Sequence, residues 1–308
     1  MVRRLFGDVT KACRWLRRVR WVDRLVRAGV RYDEADGGRL SAAVTYYAFF
    51  ATFALQLVAF AVFGPVLDDS SVVRSIQQYV AHDLPTMDVQ ALRHARATAG
   101  VIAFVGLPVT GWFWVDALRS SIRRIWRLPE YPGALAVRVL IDLGVLTGLG
   151  VLLTGSLWVA YVTSAAANRV ADASDAGAVL SHRWLTAFGF LVGVVVNTVL
   201  ACGALTALPR VRMSWRRLLG PALLVGVGTE LLKTIGGVYV RLTEANPVYQ
   251  LVAGAVGLLV FLNAINQMLL FAAALTATSA AGRSADLAEP GAGPLPGADE
   301  EGGRYRPA

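Results

Sequence analysis

The sequence predicts an all-α fold: a polytopic integral membrane protein of six transmembrane helices, with amphipathic helices lying along its interfaces. Three observations predict it. Of the 308 residues, 56% are hydrophobic and the mean hydropathy is +0.53, against roughly 45–50% apolar in a soluble chain. The apolar residues gather into runs of about 20, long enough to cross ~30 Å of hydrocarbon at ~1.5 Å per residue. The arginines gather in the segments between those runs, so the net charge of +9 reads as membrane topology and not as a nucleic-acid footprint. No nucleic-acid partner is expected.

Residues 1–36 come first, as a basic amphipathic cytoplasmic helix. Leu5, Val9, Ala12, Leu16, Val19, Val22, Val26 and Val30 recur at steps of three or four, one stripe of a helix. Ten Lys and Arg lie between Arg3 and Arg31, against Asp8 and Asp23. Such a helix lies on an anionic lipid surface, or packs its stripe against the protein's own cytoplasmic face; the two readings are compatible. The first basic residues are followed by no short apolar core, so no cleavable signal peptide is expected and the first span serves as the targeting signal.

Asp36-Gly37-Gly38 breaks that helix and opens a membrane domain over residues 37–280. Its first span covers about Ala42 to Val66, with Gln56 inside and Gly64-Pro65 and Asp68-Asp69 closing it. Residues 67–97 form a polar outer excursion. The second span covers about Thr98 to Ala117, with Pro108 inside, and Arg119, Arg123, Arg124 and Arg127 follow on a short surface helix ending at Pro129. Further spans cover about Ala134 to Thr163, Trp184 to Leu208, Leu218 to Val240 and Val248 to Thr276. Residues 281–308, rich in Gly, Pro, Ala and acid, are expected to be a disordered cytoplasmic tail. With the N-terminus inside, the inner segments carry ten, four, four and three basic residues and the outer ones three, two and at most one. The expectation is therefore an inner (cytoplasmic) membrane protein with both ends in the cytoplasm.

Polar residues within spans are costly where they face lipid, so they mark the bundle interior. Glu230 and Lys233 lie three apart in the fifth span, on one face with Gly226 and Gly237. They form either a self-satisfied pair packed on a neighbour through the glycines or the lining of a substrate path. Asn197 lies in the fourth span; Asn263, Asn266 and Gln267 lie in the sixth; a polar seam shared by the fifth and sixth helices is expected. Asp142, four residues after Arg138, reads as an Arg–Asp pair near the cytoplasmic boundary. These seven residues (Asp142, Asn197, Glu230, Lys233, Asn263, Asn266 and Gln267) form the candidate intramembrane path. Gly144-x-x-x-Gly148 and Gly189-x-x-x-Gly193 permit close helix approach and leave a homo-oligomer open.

Catalytic residues, cofactors and metals are not expected. Cys13 and Cys202 have no metal-ligand spacing. His82, His94 and His182 are scattered. No phosphate-cradling Gly-rich loop, HExxH or nucleophile elbow occurs.

With the spans placed, the chain resembles the YihY/BrkB family of bacterial inner-membrane proteins, and looks closest to its YhjD-like branch. The resemblance covers roughly residues 36–280. It rests on Gly38-Arg39-Leu40-Ser41-Ala42-Ala43-Val44-Thr45-Tyr46-Tyr47-Ala48-Phe49-Phe50, on Asp116-Ala117-Leu118-Arg119 leading to Ile125-Trp126, on Asn246-Pro247-Val248-Tyr249-Gln250, and on Leu270-Phe271-Ala272-Ala273-Ala274-Leu275-Thr276-Ala277-Thr278. Two departures stand out. Ala51-Thr52-Phe53-Ala54 replaces a common Ser-Leu-x-Pro stretch, and Ala272-Ala273-Ala274 replaces a common Gly-Ala-Glu, so no role of that Pro or Glu carries over. The resemblance implies six helices and a role in envelope integrity. Members have also been labelled ribonuclease BN, which no metal-binding cluster here supports.

The leading expectation is a non-enzymatic envelope protein, a transporter or flippase-like factor for lipid or another envelope component, driven without ATP. The alternative is a membrane scaffold that recruits partners through its basic N-terminal helix and outer loop, without transport. A third reading, an enzyme acting on lipid head groups, requires Asp116, Arg119, Asp142 and Arg138 to converge.

Overall fold

The structure is a computed structural model, and it describes residues 20–68, 89–130, 139–144, 147–148, 178–243, 247–279 and 284–287. Its elements in chain order are α1 (Arg20–Glu34), α2 (Gly37–Asp68), α3 (Val89–Ile125), α4 (Ala178–Thr206), β1 (Val211–Met213), α5 (Trp215–Thr243), α6 (Pro247–Ala277) and β2 (Ser284–Asp286). Residues 139–144 are also helical. The N-terminal residues before Arg20, the side chain of Gln56, the outer excursion up to residue 88, Arg138 and most of the third span lie outside the described residues or side chains.

Two helix pairs, α2 with α3 and α4 with α5, flank α6, which touches every other labelled helix. The packing is inside-out relative to a soluble bundle. Leu191, Val195, Ile235 and Val260 are each more than half exposed, and the core between the helices is rich in small residues beside larger ones such as Ile122, Leu205 and Leu270. Ala272, Ala273 and Ala274 are fully buried on α6, and Ala222 and Ala201 line α5 and α4. Without a hydrophobic drive between helices in lipid, small side chains let the backbones approach and gain dispersion contacts. Three stretches, Gly189–Thr206, Trp215–Gly236 and Gly254–Ala277, are long and apolar enough to cross a membrane.

The break between α1 and α2 is where the sequence places it, and its chemistry is visible. Asp36 takes a left-handed conformation (φ 57°); its N–H donates to Asp33 O, and Leu40 N–H donates to Asp36 O to start α2. A short acidic side chain tolerates this region better than most. Gly37 faces the ring of Tyr32 so closely that a Cβ there would overlap it. The corner folds α1 back under α6, where Ala28 is fully buried and Tyr32 meets Phe271 edge to face at 6.2 Å. α1 therefore packs on the protein itself through Ala28 and Arg31 and not squarely through the predicted stripe, whose Val22 and Val26 are half-buried and whose Val30 is exposed along with Arg24, Leu25 and Arg27.

α2 runs through Gly64-Pro65 and ends at Asp68, within the closing segment the sequence marks. Two expectations are corrected. The arginine-rich segment after the second span is no separate surface helix. It is the last turns of α3, a single helix of 37 residues running through Pro108, in which Arg119 and Arg123 are buried. That helix ends with Arg127 left-handed (φ 54°), Arg127 N–H on Arg124 O and Leu128 N–H on Arg123 O, a pattern that satisfies the last carbonyls. Finally, the fold is not purely α and the tail is not without structure at its start. Ser284–Asp286 pairs antiparallel with Val211–Met213, Val211 opposite Asp286 and Met213 opposite Ser284.

Candidate functional site

The polar residues of the membrane domain form three groups on three helix interfaces. The first lies between α4 and α5. Gly226 of α5 sits so close to α4 that a Cβ would stand 2.9 Å from Val194 O and overlap the Thr198 hydroxyl. That approach brings Asn197 to Glu230: Asn197 Nδ2 donates to Glu230 Oε1 at 2.6 Å, and Lys233 Nζ donates to the same oxygen at 2.8 Å. Gly193 of α4 leaves the space the carboxylate occupies. The pair is asymmetric, with the Glu230 side chain 12% exposed and that of Lys233 50%. Glu230 Oε2 accepts from no described residue, and the ammonium keeps donors to spare.

The second group lies between α2 and α6. Asn266 Nδ2 donates to Thr45 Oγ1 at 3.0 Å, both side chains buried. The Ser41 hydroxyl is placed between Gly38 O at 2.9 Å and Asn263 Oδ1 at 3.4 Å. Gln267 is exposed. The expected seam shared by the fifth and sixth helices is thus corrected. α5 does touch α6, but through Gly228, where the Met268 thioether fills the gap. The α6 asparagines turn to α2, and Glu230 turns to α4.

The third group gathers at the end of the bundle where α3 stops. Asp142 meets Arg119 of α3, while its expected partner Arg138 lies outside the described residues: Arg119 Nη1 stands 3.3 Å from Asp142 Oδ2, the side chains 2% and 1% exposed, and Arg119 also holds Asp116. Asp116, Arg119 and Asp142 do converge. Beyond them, three further buried guanidiniums tie helix ends together. Arg31 Nε donates to Ile125 O at 2.7 Å. Arg217 Nε and Nη2 donate to Thr276 O at 2.5 Å and Ala277 O at 2.9 Å, with the guanidinium 5.0 Å over the Trp126 ring. Arg123 Nε and Nη1 donate to Pro129 O and Pro209 O, both at 2.6 Å, and Nη1 and Nη2 clasp the Asp286 carboxylate at 3.2 and 2.8 Å. The last carbonyls of a helix have no intrahelical donor and carry partial negative charge; a planar guanidinium suits them well.

Sequence reasoning named Asp116, Arg119 and Asp142 together but missed Arg31, Arg123 and Arg217, because arginines between spans read as topology signals. A signal was present. Val115, Leu118, Ile122 and Ile125 recur at helical spacing, and Arg119 and Arg123 fall on the same stripe. A cation that shares an apolar stripe is buried with it.

Among the described residues no three His, Cys, Asp or Glu side chains come together as a metal site. Apolar outward faces, a core rich in small residues and polar groups sequestered between helices define an integral membrane protein of the helical-bundle class. The chain matches the family model described as virulence factor BrkB over residues 28–294, and it belongs to that family. It is 24% identical over 287 residues to the inner membrane protein YhjD of Escherichia coli (strain K12), covering 88% of this chain and 85% of that one. It is 28% identical over 299 residues to an uncharacterized protein of Dickeya dadantii (strain 3937), covering 90% and 89%. No solved structure matches.

Proposed function

We propose that this protein moves lipid, or another amphiphilic envelope component, between leaflets without ATP and without catalysis, in the inner membrane and in support of envelope integrity. The observation that carries the reading is the Asn197–Glu230–Lys233 group. A half-exposed ammonium beside a carboxylate with one oxygen unclaimed stands on the outer side of two apolar helices, next to exposed Leu231 and Ile235. A charge there costs ~2.5–3.5 kcal/mol at the bilayer centre, and a partly self-compensated pair lowers that cost while leaving a zwitterionic headgroup both signs to engage. Arg119 and Asp142 suit an enzyme less well, because they are sealed from solvent and paired with each other.

The proposed topology is six spans with both ends in the cytoplasm. α2 and α3 leave from and return to one end of the bundle, where Arg127 pairs with Glu34 at 2.9 Å. The bond from Arg123 to Pro209 O places the end of α4 there too. α4 therefore approaches from the opposite end, which agrees with one proposed span between α3 and α4. α5 and α6 return to the same end, where β2 meets β1.

The test is phospholipid scrambling in liposomes, followed by dithionite quenching of fluorescent lipid in the outer leaflet. Wild type should scramble above protein-free liposomes, and Glu230→Ala/Lys233→Ala should not. A folded wild type that leaves the slow phase untouched sinks the lipid reading. The scaffold reading is favoured by the exposed Leu25 and Val30 on α1. Its deletion should stop before Arg20, because Ala28 and Arg31 belong to the core.

A further inference from the structure

Among the described residues, the buried end of the bundle carries more positive charge than its neighbours neutralise. Arg123 and Arg217 are 0% and 2% exposed. Arg123 has one carboxylate, Asp286. Arg217 has none among the described residues: its partners are two carbonyls, the Trp126 ring and the Ser284 hydroxyl, to which Nη1 donates at 3.0 Å. Arg210 adds a third guanidinium. It sits in the turn beside Pro209 with left-handed backbone (φ 55°), and its Nε and Nη2 are buried without a hydrogen-bond partner. Among the described residues one carboxylate thus stands against these three cations, held by Arg123, and it arrives on a strand of only three residues.

The strand is short. β2 has its pairing with β1, the Leu287 N–H on Arg210 O at 2.9 Å, and the two arginines. An isolated two-stranded ribbon is marginal by itself, so the charge pairs hold it down. They also restrict how it can leave. Removing the only counter-charge from a buried guanidinium is strongly unfavourable, so Asp286 departs readily only when another anion replaces it. A phosphoryl group with two negative charges and three acceptor oxygens fits a guanidinium cluster better than one carboxylate does.

We propose that the Arg123–Arg210–Arg217 cradle is an anion site whose resident ligand is the chain's own Asp286, and that a dianionic phosphoryl group displaces the Ser284–Asp286 strand from it. The strand is then an exchangeable strap across the ends of α3, α5 and α6. Displacement frees the tail and leaves the phosphoryl group joining the helix ends in its place.

The test uses the full-length chain with Cys13→Ala and Cys202→Ala, carrying Arg212→Cys and Ala285→Cys. These two positions face each other across the ribbon, at a separation a disulfide accepts. The rate of oxidative cross-linking reads the docked fraction, in phosphatidylcholine nanodiscs. Asp286→Ala should slow it about tenfold, the equivalent of 1.4 kcal/mol. Inorganic phosphate should slow it saturably where chloride at equal ionic strength does not, which assigns a free anion. Slowing only when phosphatidic acid is in the nanodisc assigns a headgroup. Arg210→Gln should weaken either effect. Cross-linking that ignores both phosphate and phosphatidic acid overturns the exchange, and cross-linking that ignores Asp286→Ala overturns the pin. None of these readouts depends on scrambling, so failure of the transport reading leaves the proposal testable.

Discussion

At the scale of single residues, the decisive features are charges that the packing forces inside. Arg119 and Asp142 come from different helices and are both sealed from solvent. The physics of a buried pair predicts an asymmetry. Arg119→Met takes the guanidinium from Asp142 and Asp116 together and should cost about 3–5 kcal/mol. Asp142→Leu leaves Arg119 with Asp116 and should cost less, and the double replacement should cost less than the sum of the two. Thermal unfolding in detergent of the four members of the cycle checks it; additive losses would mean that the two side chains do not act as a pair. Glycines give a second contrast. Gly37 faces the Tyr32 ring, whereas Gly38 has nothing within 4 Å of its missing Cβ. Gly37→Ala should destabilise by about 1–3 kcal/mol through overpacking, and Gly38→Ala should be neutral or stabilise by about 0.5–1 kcal/mol. The sequence shows both glycines as one helix-breaking pair. Which of them is constrained depends on a ring five positions earlier, which only the folded corner brings back.

At the scale of elements, hydropathy and charge were legible while interfaces were not. Runs of apolar residues fix where helices lie because lipid demands internal hydrogen bonding. They say nothing about which helix meets which. Glu230 and Asn266 both lie mid-span, and position along the span favours placing them together; the choice between α4 and α2 as partners is set by Gly193, Gly226 and Gly228, whose gaps admit a carboxylate, a backbone and a thioether respectively. This leads to a prediction for the α4–α5 pair. Gly226→Leu should push the helices apart, break the Asn197–Glu230 bond and lower the melting temperature in detergent. Gly220→Leu, on the same helix with open space at its Cβ, should not. Equal melting for the two variants would refute the close contact. Asn197→Leu and Glu230→Ala should each show the same direction by about 0.6–2 kcal/mol, the range of interhelical hydrogen bonds in membranes.

At the scale of the whole molecule, charge has two roles that act at different times. During insertion the chain is unfolded, and every arginine in a short connection counts toward orientation, including Arg123 and Arg217, which later disappear into the core. After folding the same arginines clamp helix ends. The segment from Ser181 to Arg183 and the ribbon at Arg212 lie at opposite ends of α4, and the proposed topology puts them on opposite sides of the membrane. In that topology the basic residues at Arg210, Arg212, Arg216 and Arg217 outnumber Arg169 and Arg183 before α4 and draw their end inward. In a chain with Cys13→Ala and Cys202→Ala, a membrane-impermeant maleimide applied to intact cells should therefore label Arg183→Cys and leave Arg212→Cys unlabelled until the membrane is opened. The reverse pattern would turn the protein over, placing the Arg123–Asp286 strap outside and removing any route by which a cytoplasmic phosphoryl group could reach it. Labelling of both positions in intact cells would mean that α4 does not span, and the six-helix topology would fall with it.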